Sequence, residues 1–204
     1  MWALNKGILK SKGDIILHTD GDCIPEKNWV EKIACEFEDI NVGAVCGFTP
    51  LKGNDILSLE NMAQDAFYGL AIANNWIFSC NGRSFAYRKK YFLDIDGYKG
   101  FNYIVGGDDD LLLHKIVYKK RCKVKYVISE NSFVLSNTPR TIEQFISQRL
   151  RYASKSSIFY KFSFSSIEVK LIMPLIFFVN CVVCFSIIKF CQSPNFMHLI
   201  IIIL

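Results

Sequence analysis

What the chain has little of narrows the field first. The opening residues Met1-Trp2-Ala3-Leu4-Asn5-Lys6 lack an apolar h-region, so this stretch is not expected to act as a signal peptide. Charge is sparse: 21% of the 204 residues are charged against 51% hydrophobic, which is rich for a purely soluble domain. From Leu171 to Ile188 charge is absent altogether, and the run LIMPLIFFVNCVVCFSII has no polar face. A helix packed on a domain surface would show one, so a membrane span is expected over 171–189, with a fully buried core helix as the alternative. The eight cysteines lack a pairing pattern. Cys23, Cys35, Cys46, Cys80 and Cys122 stand singly in apolar or strand-like stretches, which fits a reducing compartment. The C-x-x-C of Cys181 and Cys184 lies inside the apolar run, where neither a redox nor a zinc site is expected. An EF-hand is excluded as well. Asp20, Asp22 and Glu31 fit its first, third and last positions, but Ile24 and Pro25 stand where an oxygen ligand and a Gly are required.

What is present centres on Lys10 to Asp22, KSKGDIILHTDGD. Ile15, Ile16 and Leu17 form a short apolar run bounded by Gly and Asp, predicting a buried strand of a parallel sheet. Asp20 and Asp22 then fall just beyond its carboxyl end, where open α/β sheets bind ligands. Gly21 lets the chain turn so that both carboxylates can meet one hard cation, Mg²⁺ or Mn²⁺, shared with a substrate diphosphate. The alternative is a solvated surface turn, since Asp-x-Asp is common in turns.

Along the chain, residues 1–13 predict the end of a helix stopped at Gly13. Pro25 opens a helix to Asp39, with Trp29, Ile33 and Phe37 on one face. Val42 to Phe48 is a strand, and Ser58 to Asn75 a helix holding Glu60 and Asp65. Asn81-Gly82 is a tight turn into an exposed-edge strand carrying Phe85 and Tyr87. Gly106-Gly107-Asp108-Asp109-Asp110 precedes a helix; capping and the macrodipole account for one or two of these aspartates but not for all three. Cys122 to Ile128 is a strand. Thr141 and Gln144 make a capping box for a helix carrying Gln148, Arg149, Arg151 and Tyr152. Residues 154–170 interleave aromatics and Lys as an interfacial, juxtamembrane helix would. Arg140, Arg149, Arg151, Lys155, Lys161 and Lys170 precede the apolar run against Glu143 and Glu168, so this flank and the N-terminal 160 residues are expected on the cytoplasmic side. That cluster explains most of the net charge of +5, and no nucleic-acid partner is implied. A second apolar run, 196–204, is too short to span as a helix and is expected to be the truncated start of another membrane helix.

Four elements thus stand in order: Asp-x-Asp after a strand, an Asn-Gly-Arg turn, Gly-Asp-Asp-Asp at a helix start, and Gln-Arg-x-Arg-Tyr ahead of a membrane segment. Together with Asn5-Lys6-Gly7 and Lys12-Gly13-Asp14, this resembles the membrane-bound, inverting family 2 glycosyltransferases, the group of cellulose, chitin and hyaluronan synthases. The resemblance covers roughly residues 3–160. It implies an α/β fold, an incomplete GT-A domain (Rossmann-like, mixed sheet) over 1–153, followed by a C-terminal transmembrane helix.

Carried over residue by residue, the resemblance implies that Asp22, helped by Asp20, ligates Mg²⁺ or Mn²⁺ on the donor diphosphate. Asp108-Asp109 matches the acidic pair, with Asp109 as general base on the acceptor hydroxyl. Gln148, Arg149 and Arg151 match the diphosphate-holding motif, and Asn81, Gly82, Arg83 and Tyr152 the acceptor side. Tyr152 replaces that motif's Trp, which puts processive polymer handling in doubt. A UDP-sugar donor and a lipid or glycan acceptor at the membrane follow from the resemblance. The family's upstream nucleotide-binding unit has no counterpart in this chain, so a missing N-terminal segment or a partner chain is expected to supply it. The alternatives are an inactive membrane-anchored remnant and, with less support, a metal-dependent phosphohydrolase, which leaves the Gln-Arg-x-Arg-Tyr run unexplained.

Overall fold

A computed structural model describes residues 1–104 and 106–192. They fall into a unit Met1–Ser166 and a second that begins at Ile167. The expected second apolar helix at 196–204 lies outside the described residues.

In the first unit the elements run α1 (Trp2–Lys10), β1 (Ile15–His18), β2 (Ile24–Pro25), α2 (Trp29–Cys35), β3 (Val42–Gly47), β4 (Leu51–Lys52) and α3 (Asp55–Ala73). They continue with β5 (Phe85–Arg88), α4 (Lys89–Asp94), α5 (Asp108–Lys120), β6 (Lys123–Val127), β7 (Val134–Asn137) and α6 (Ile142–Lys155). One sheet has the order β1-β5-β3-β6, with β5 antiparallel to both neighbours and β3 parallel to β6. A small second sheet has the order β2-β7-β4, antiparallel then parallel.

Several boundaries differ from the sequence reading. Helix α1 ends at Ser11, not Gly13, because the Ser11 hydroxyl and N–H donate to the Ile8 and Gly7 carbonyls at 2.7 and 2.9 Å. Pro25 does not open α2. It pairs opposite Val134 in β2, and the next residue exchanges bonds with Phe133: the Glu26 N–H donates to its carbonyl, and the Glu26 carboxylate accepts from its N–H. Strand β1 is an antiparallel edge strand, not a central parallel one, while β5 lies inside the sheet. Phe85 and Tyr87, expected at an exposed edge, are therefore buried. Their rings stack onto His18 and Phe92 between the sheet and the elements that cover it.

On the other face of the sheet, Trp29, Ile33 and Phe37 present their four-residue spacing to Val42, Val45, Ala86, Val127 and Val134. Burying side chains of this size contributes about 1.5–3 kcal/mol each. The indole N–H of Trp29 donates to the buried Ser84 hydroxyl at 2.9 Å, tying this core to the turn that precedes β5. Trp29→Phe is expected to lower stability by about 1–2 kcal/mol through the lost hydrogen bond and the smaller ring. Urea denaturation followed by circular dichroism checks this.

Helix α6 starts as its capping box predicts: the Gln144 N–H donates to Thr141 Oγ1 at 3.2 Å, and the Gln144 side chain accepts from the Arg140 N–H. The continuous helix expected beyond it does not form. Residues Ser156–Lys161 make a 3-10 turn, and Phe162 and Phe164 stack on each other and flank Phe101. His114 of α5 fixes this return. Its Nε2–H donates to the Phe78 carbonyl, while Nδ1 accepts from the Ser166 N–H at 3.2 Å.

The second unit is α7 (Ile167–Gln192), with Pro174 inside it. Its segment Ile167–Phe190 is long and apolar enough, by length and composition, to cross a membrane.

Candidate active site

The first carboxylates come from the turn that ends β1. The Cys23 N–H donates to the Asp20 carbonyl at 3.1 Å, closing a four-residue turn around Gly21. This gathers the exposed Asp20 and Asp22 carboxylates and the half-buried Cys23 thiol, with ligand atoms all within 4.8 Å of one another. The thiol donates to Asp22 Oδ1 at 3.7 Å, and burial, reinforced by the two carboxylates, pushes its pKa up. Two hard carboxylate oxygens this close suit a divalent cation, so the residues present fit the metal that the sequence resemblance implies.

The second group fans out from the start of α5. Gly107 caps the helix in the left-handed conformation with φ 75°, a position that favours Gly. Consecutive helix positions lie about 100° apart, so three adjacent aspartates point in three directions. Asp110 accepts from the Ser79 hydroxyl at 2.6 Å and the Cys80 N–H at 2.9 Å, fixing the segment before the Asn81 turn. Asp109 lies against Gly82 so closely that a Cβ there would collide with its carboxylate. Asp108 acts electrostatically on His18 and Tyr98. One aspartate thus builds the site and two face it, which resolves why capping alone could not explain the triplet.

These groups meet. A cavity of about 120 Å³ is lined by His18, Thr19, Asp20, Gly82, Tyr98, Asp108 and Asp109, with Leu4, Phe85 and Leu112 as its apolar wall. The His18 ring Nε2 and the Tyr87 hydroxyl lie 2.8 Å apart. Burial holds the His18 pKa below its ordinary value, with Asp108 working against the shift. His18 is therefore neutral at pH 7. Burial, with Asp108 adding, pushes the Tyr98 phenol up, so it stays protonated and can donate into the cavity.

Behind Gly82 lies a polar network that sequence reasoning missed. Asp65 of α3 accepts from the Thr49 N–H and hydroxyl, both at 2.9 Å. The Asn81 amide donates to Thr49 Oγ1, and Arg83 donates to the side-chain oxygens of Asn81 and Asn61. Asn81 and Arg83 are engaged here, and they hold Gly82 at the cavity wall. The available signal was a carboxylate, Asp65, in an otherwise apolar helix face.

Burial raises the Asp65 pKa, only partly countered by the Thr49 hydrogen bonds and Arg83. A carboxyl whose folded pKa lies above its unfolded value stabilises most when protonated, and that contribution is lost as pH rises through the folded pKa. Stability of the native chain relative to Asp65→Asn is therefore expected to fall as pH is raised through and above the ordinary carboxylate range. Denaturation midpoints of both proteins across that range test it.

The basic helix is positioned differently from the acidic groups. Arg149 forms an ion pair with Glu60 of α3 and lies over the Phe145 ring at 4.9 Å. Its Nε is buried without a hydrogen-bond partner among the described residues. Arg151 lies over the Tyr152 ring at 5.7 Å. Gln148, Arg149, Arg151 and Tyr152 do not line the acidic cavity, and neither does Asp22.

The family model described as Glycosyl transferase family 2 matches residues 1–96, which hold both the Asp20-Gly21-Asp22 and the Asn81-Gly82-Arg83 turns. No curated protein matches the chain by sequence. Among solved structures it is similar to the mannosyltransferase PcManGT from Pyrobaculum calidifontis in complex with GDP-Man and Mn2+. Identity is 20% and the TM-score 0.58, over 78% of this chain and 42% of that one. The chain thus spans less than half the length of that relative, and at this identity the likeness shows the fold, a GT-A-like mixed α/β domain.

Proposed function

We propose that the chain carries the metal- and base-bearing part of an inverting glycosyltransferase that moves a sugar from a nucleotide-sugar to a lipid or polysaccharide acceptor at a membrane. The observation that carries this reading is the shared cavity, in which Asp20 and Asp109 come from distant segments and face one small space. An inverting transfer needs a group at the leaving diphosphate and a base on the acceptor hydroxyl.

Asp22 and Asp20 would hold Mg²⁺ or Mn²⁺. When bound, that ion supplies electrostatic stabilisation of the departing diphosphate. Asp109 takes the acceptor proton, and Asp108 sets the local charge beside it. Gly82 keeps the wall open at that carboxylate, with Asn81 and Arg83 as its supports and acceptor-side neighbours. Gln148, Arg149 and Arg151 are assigned to the diphosphate and Tyr152 to stacking on the acceptor. For Arg149, contact with a diphosphate means exchanging its Glu60 partner. The apolar α7 supports a membrane anchor, and the basic flank before it a cytoplasmic catalytic part, as in the cellulose, chitin and hyaluronan synthase group.

A partner-dependent variant of this reading is favoured by size. A cavity of about 120 Å³ is well below the ~300–1,000 Å³ of pockets that enclose whole small ligands. Further chain, its own or a partner's, would complete the nucleotide subsite.

The test is metal-dependent nucleotide release by the membrane-embedded full-length protein from a panel of UDP- and GDP-sugars. Asp22→Asn is expected to slow release about 10²–10³-fold, the loss typical of removing one charge-stabilising group. Release unaffected by Asp22→Asn and by a chelator would overturn the proposal.

A further inference from the structure

We infer that a second binding site lies at the end of α5 remote from the acidic cavity, and that it takes a phosphate monoester carrying an apolar group. A cavity of about 650 Å³ opens where α3 and α5 end and β6 begins. Its volume falls within the ~300–1,000 Å³ of pockets that enclose small ligands. Helix α5 serves both cavities. Asp108 and Asp109 in its first turn line the acidic one, and Lys119 in its last turn lines this one, roughly 15 Å further along at about 1.5 Å per residue.

The lining divides into two chemistries. Ile72 and Ile77, both buried, and Val124 give it an apolar wall. Lys119, Arg121 and Lys123 bring three cations to the same space, and no carboxylate among the described residues lines it. Like charges gathered this way favour an anion, and the wall beside them favours an anion that carries hydrocarbon. A phosphate monoester bears about −1.5 to −2 charge at pH 7, a better match to three cations than one carboxylate. The macrodipole of α5 accounts for Lys119 and Lys120 in its last turn. It accounts neither for Lys123, which is in β6, nor for the cavity.

Arg121 is the residue that points to a ligand. It ends α5 in the left-handed conformation, φ 49° and ψ 39°, with its N–H donating to the Val117 carbonyl at 2.8 Å. Gly takes that conformation at lower cost and Asn is the usual second choice, so an Arg here works against its own backbone. Among the described residues its guanidinium has no hydrogen bond or ion pair. The neighbouring cations are engaged: Lys123 pairs with Asp39 at 3.4 Å, and Lys119 stands over the Tyr118 ring. The planar fork of Arg121 is therefore the group ready to receive two phosphate oxygens.

The experiment places the full chain in neutral phosphatidylcholine nanodiscs and titrates methyl, butyl and hexyl phosphate by calorimetry. Affinity is expected to climb along the series, by up to about fourfold per methylene that reaches the wall. Arg121→Gly is expected to weaken hexyl phosphate binding about 10-fold or more, the loss of a charged hydrogen bond, while the melting temperature holds or rises. Arg121→Asn, which also suits the left-handed position, is expected to behave alike. Hexyl phosphate bound more weakly in nanodiscs holding phosphatidic acid than in those holding oleate at equal charge identifies a membrane headgroup as the natural source. Equal binding in the two identifies a soluble ester. An affinity that is flat along the series overturns the amphiphile. Binding that survives both Arg121 variants belongs to the basic flank at 140–170 and overturns the site, as does the absence of binding by all three phosphates.

Discussion

Asp109→Asn is expected to reduce sugar transfer by about 10²–10⁴-fold, the range for removing a positioned general base. The amide preserves the size and planarity of the carboxylate, so the start of α5 and the packing against Gly82 should survive. On the proposed function, what it removes is the group that accepts the acceptor's proton as the new glycosidic bond forms. The loss should fall mainly on kcat, because the base acts in the transition state more than in binding. Asp110→Ala is the instructive companion. Its Oδ1 accepts from both the Ser79 hydroxyl and the Cys80 N–H, so removing that acceptor disturbs how the segment sits and should lower the melting temperature as well as activity. Single-turnover transfer with thermal melts of both variants separates the roles. Undiminished transfer by Asp109→Asn would sink the base assignment.

How much of this was legible in the sequence depended on whether the signal was local. The turn at Asp20–Cys23, the helix start at Asp108 and the capping residue Thr141 are set by neighbouring residues, and each is found where the residues put it. The helix face of Trp29, Ile33 and Phe37 was legible for the same reason, since its period is intrinsic to the segment. Strand position was not. Whether Ile15–His18 lies at an edge or in the centre depends on which partner wins a long-range pairing, and the apolar content of β1 does not encode it. The burial of Phe85 and Tyr87 followed from the same missing information, because alternation with small residues looks alike on an edge and in a sheet interior. Two parts of the site escaped for different reasons. The Thr49–Asp65–Asn81–Arg83 network spans residues 49 to 83 with no periodic pattern. The division of labour among Asp108, Asp109 and Asp110 depends on helix rotation against Ser79, Cys80 and Gly82, which three identical letters cannot express.

That division can be tested at Gly82 without touching a carboxylate. Gly82→Ala is expected to lower kcat by about 10²-fold while leaving the fold nearly as stable as before, since a misplacement near 1 Å can cost that much. The new methyl would overlap the Asp109 carboxylate, which is the movable end of a side chain rather than backbone. The cheapest relief is therefore for Asp109 to turn away, so the methyl acts by displacing the base. Gly82 has no left-handed φ here, so Ala meets no backbone strain, and its smaller unfolded-state entropy offsets part of any clash. The decisive comparison is the double variant. If Gly82→Ala works through Asp109, adding it to Asp109→Asn should cost almost nothing further, because a base already lost cannot be displaced again. Losses that multiply would mean that Gly82 acts on bound sugar directly, and the wall residue would then belong to the acceptor site instead of to the base.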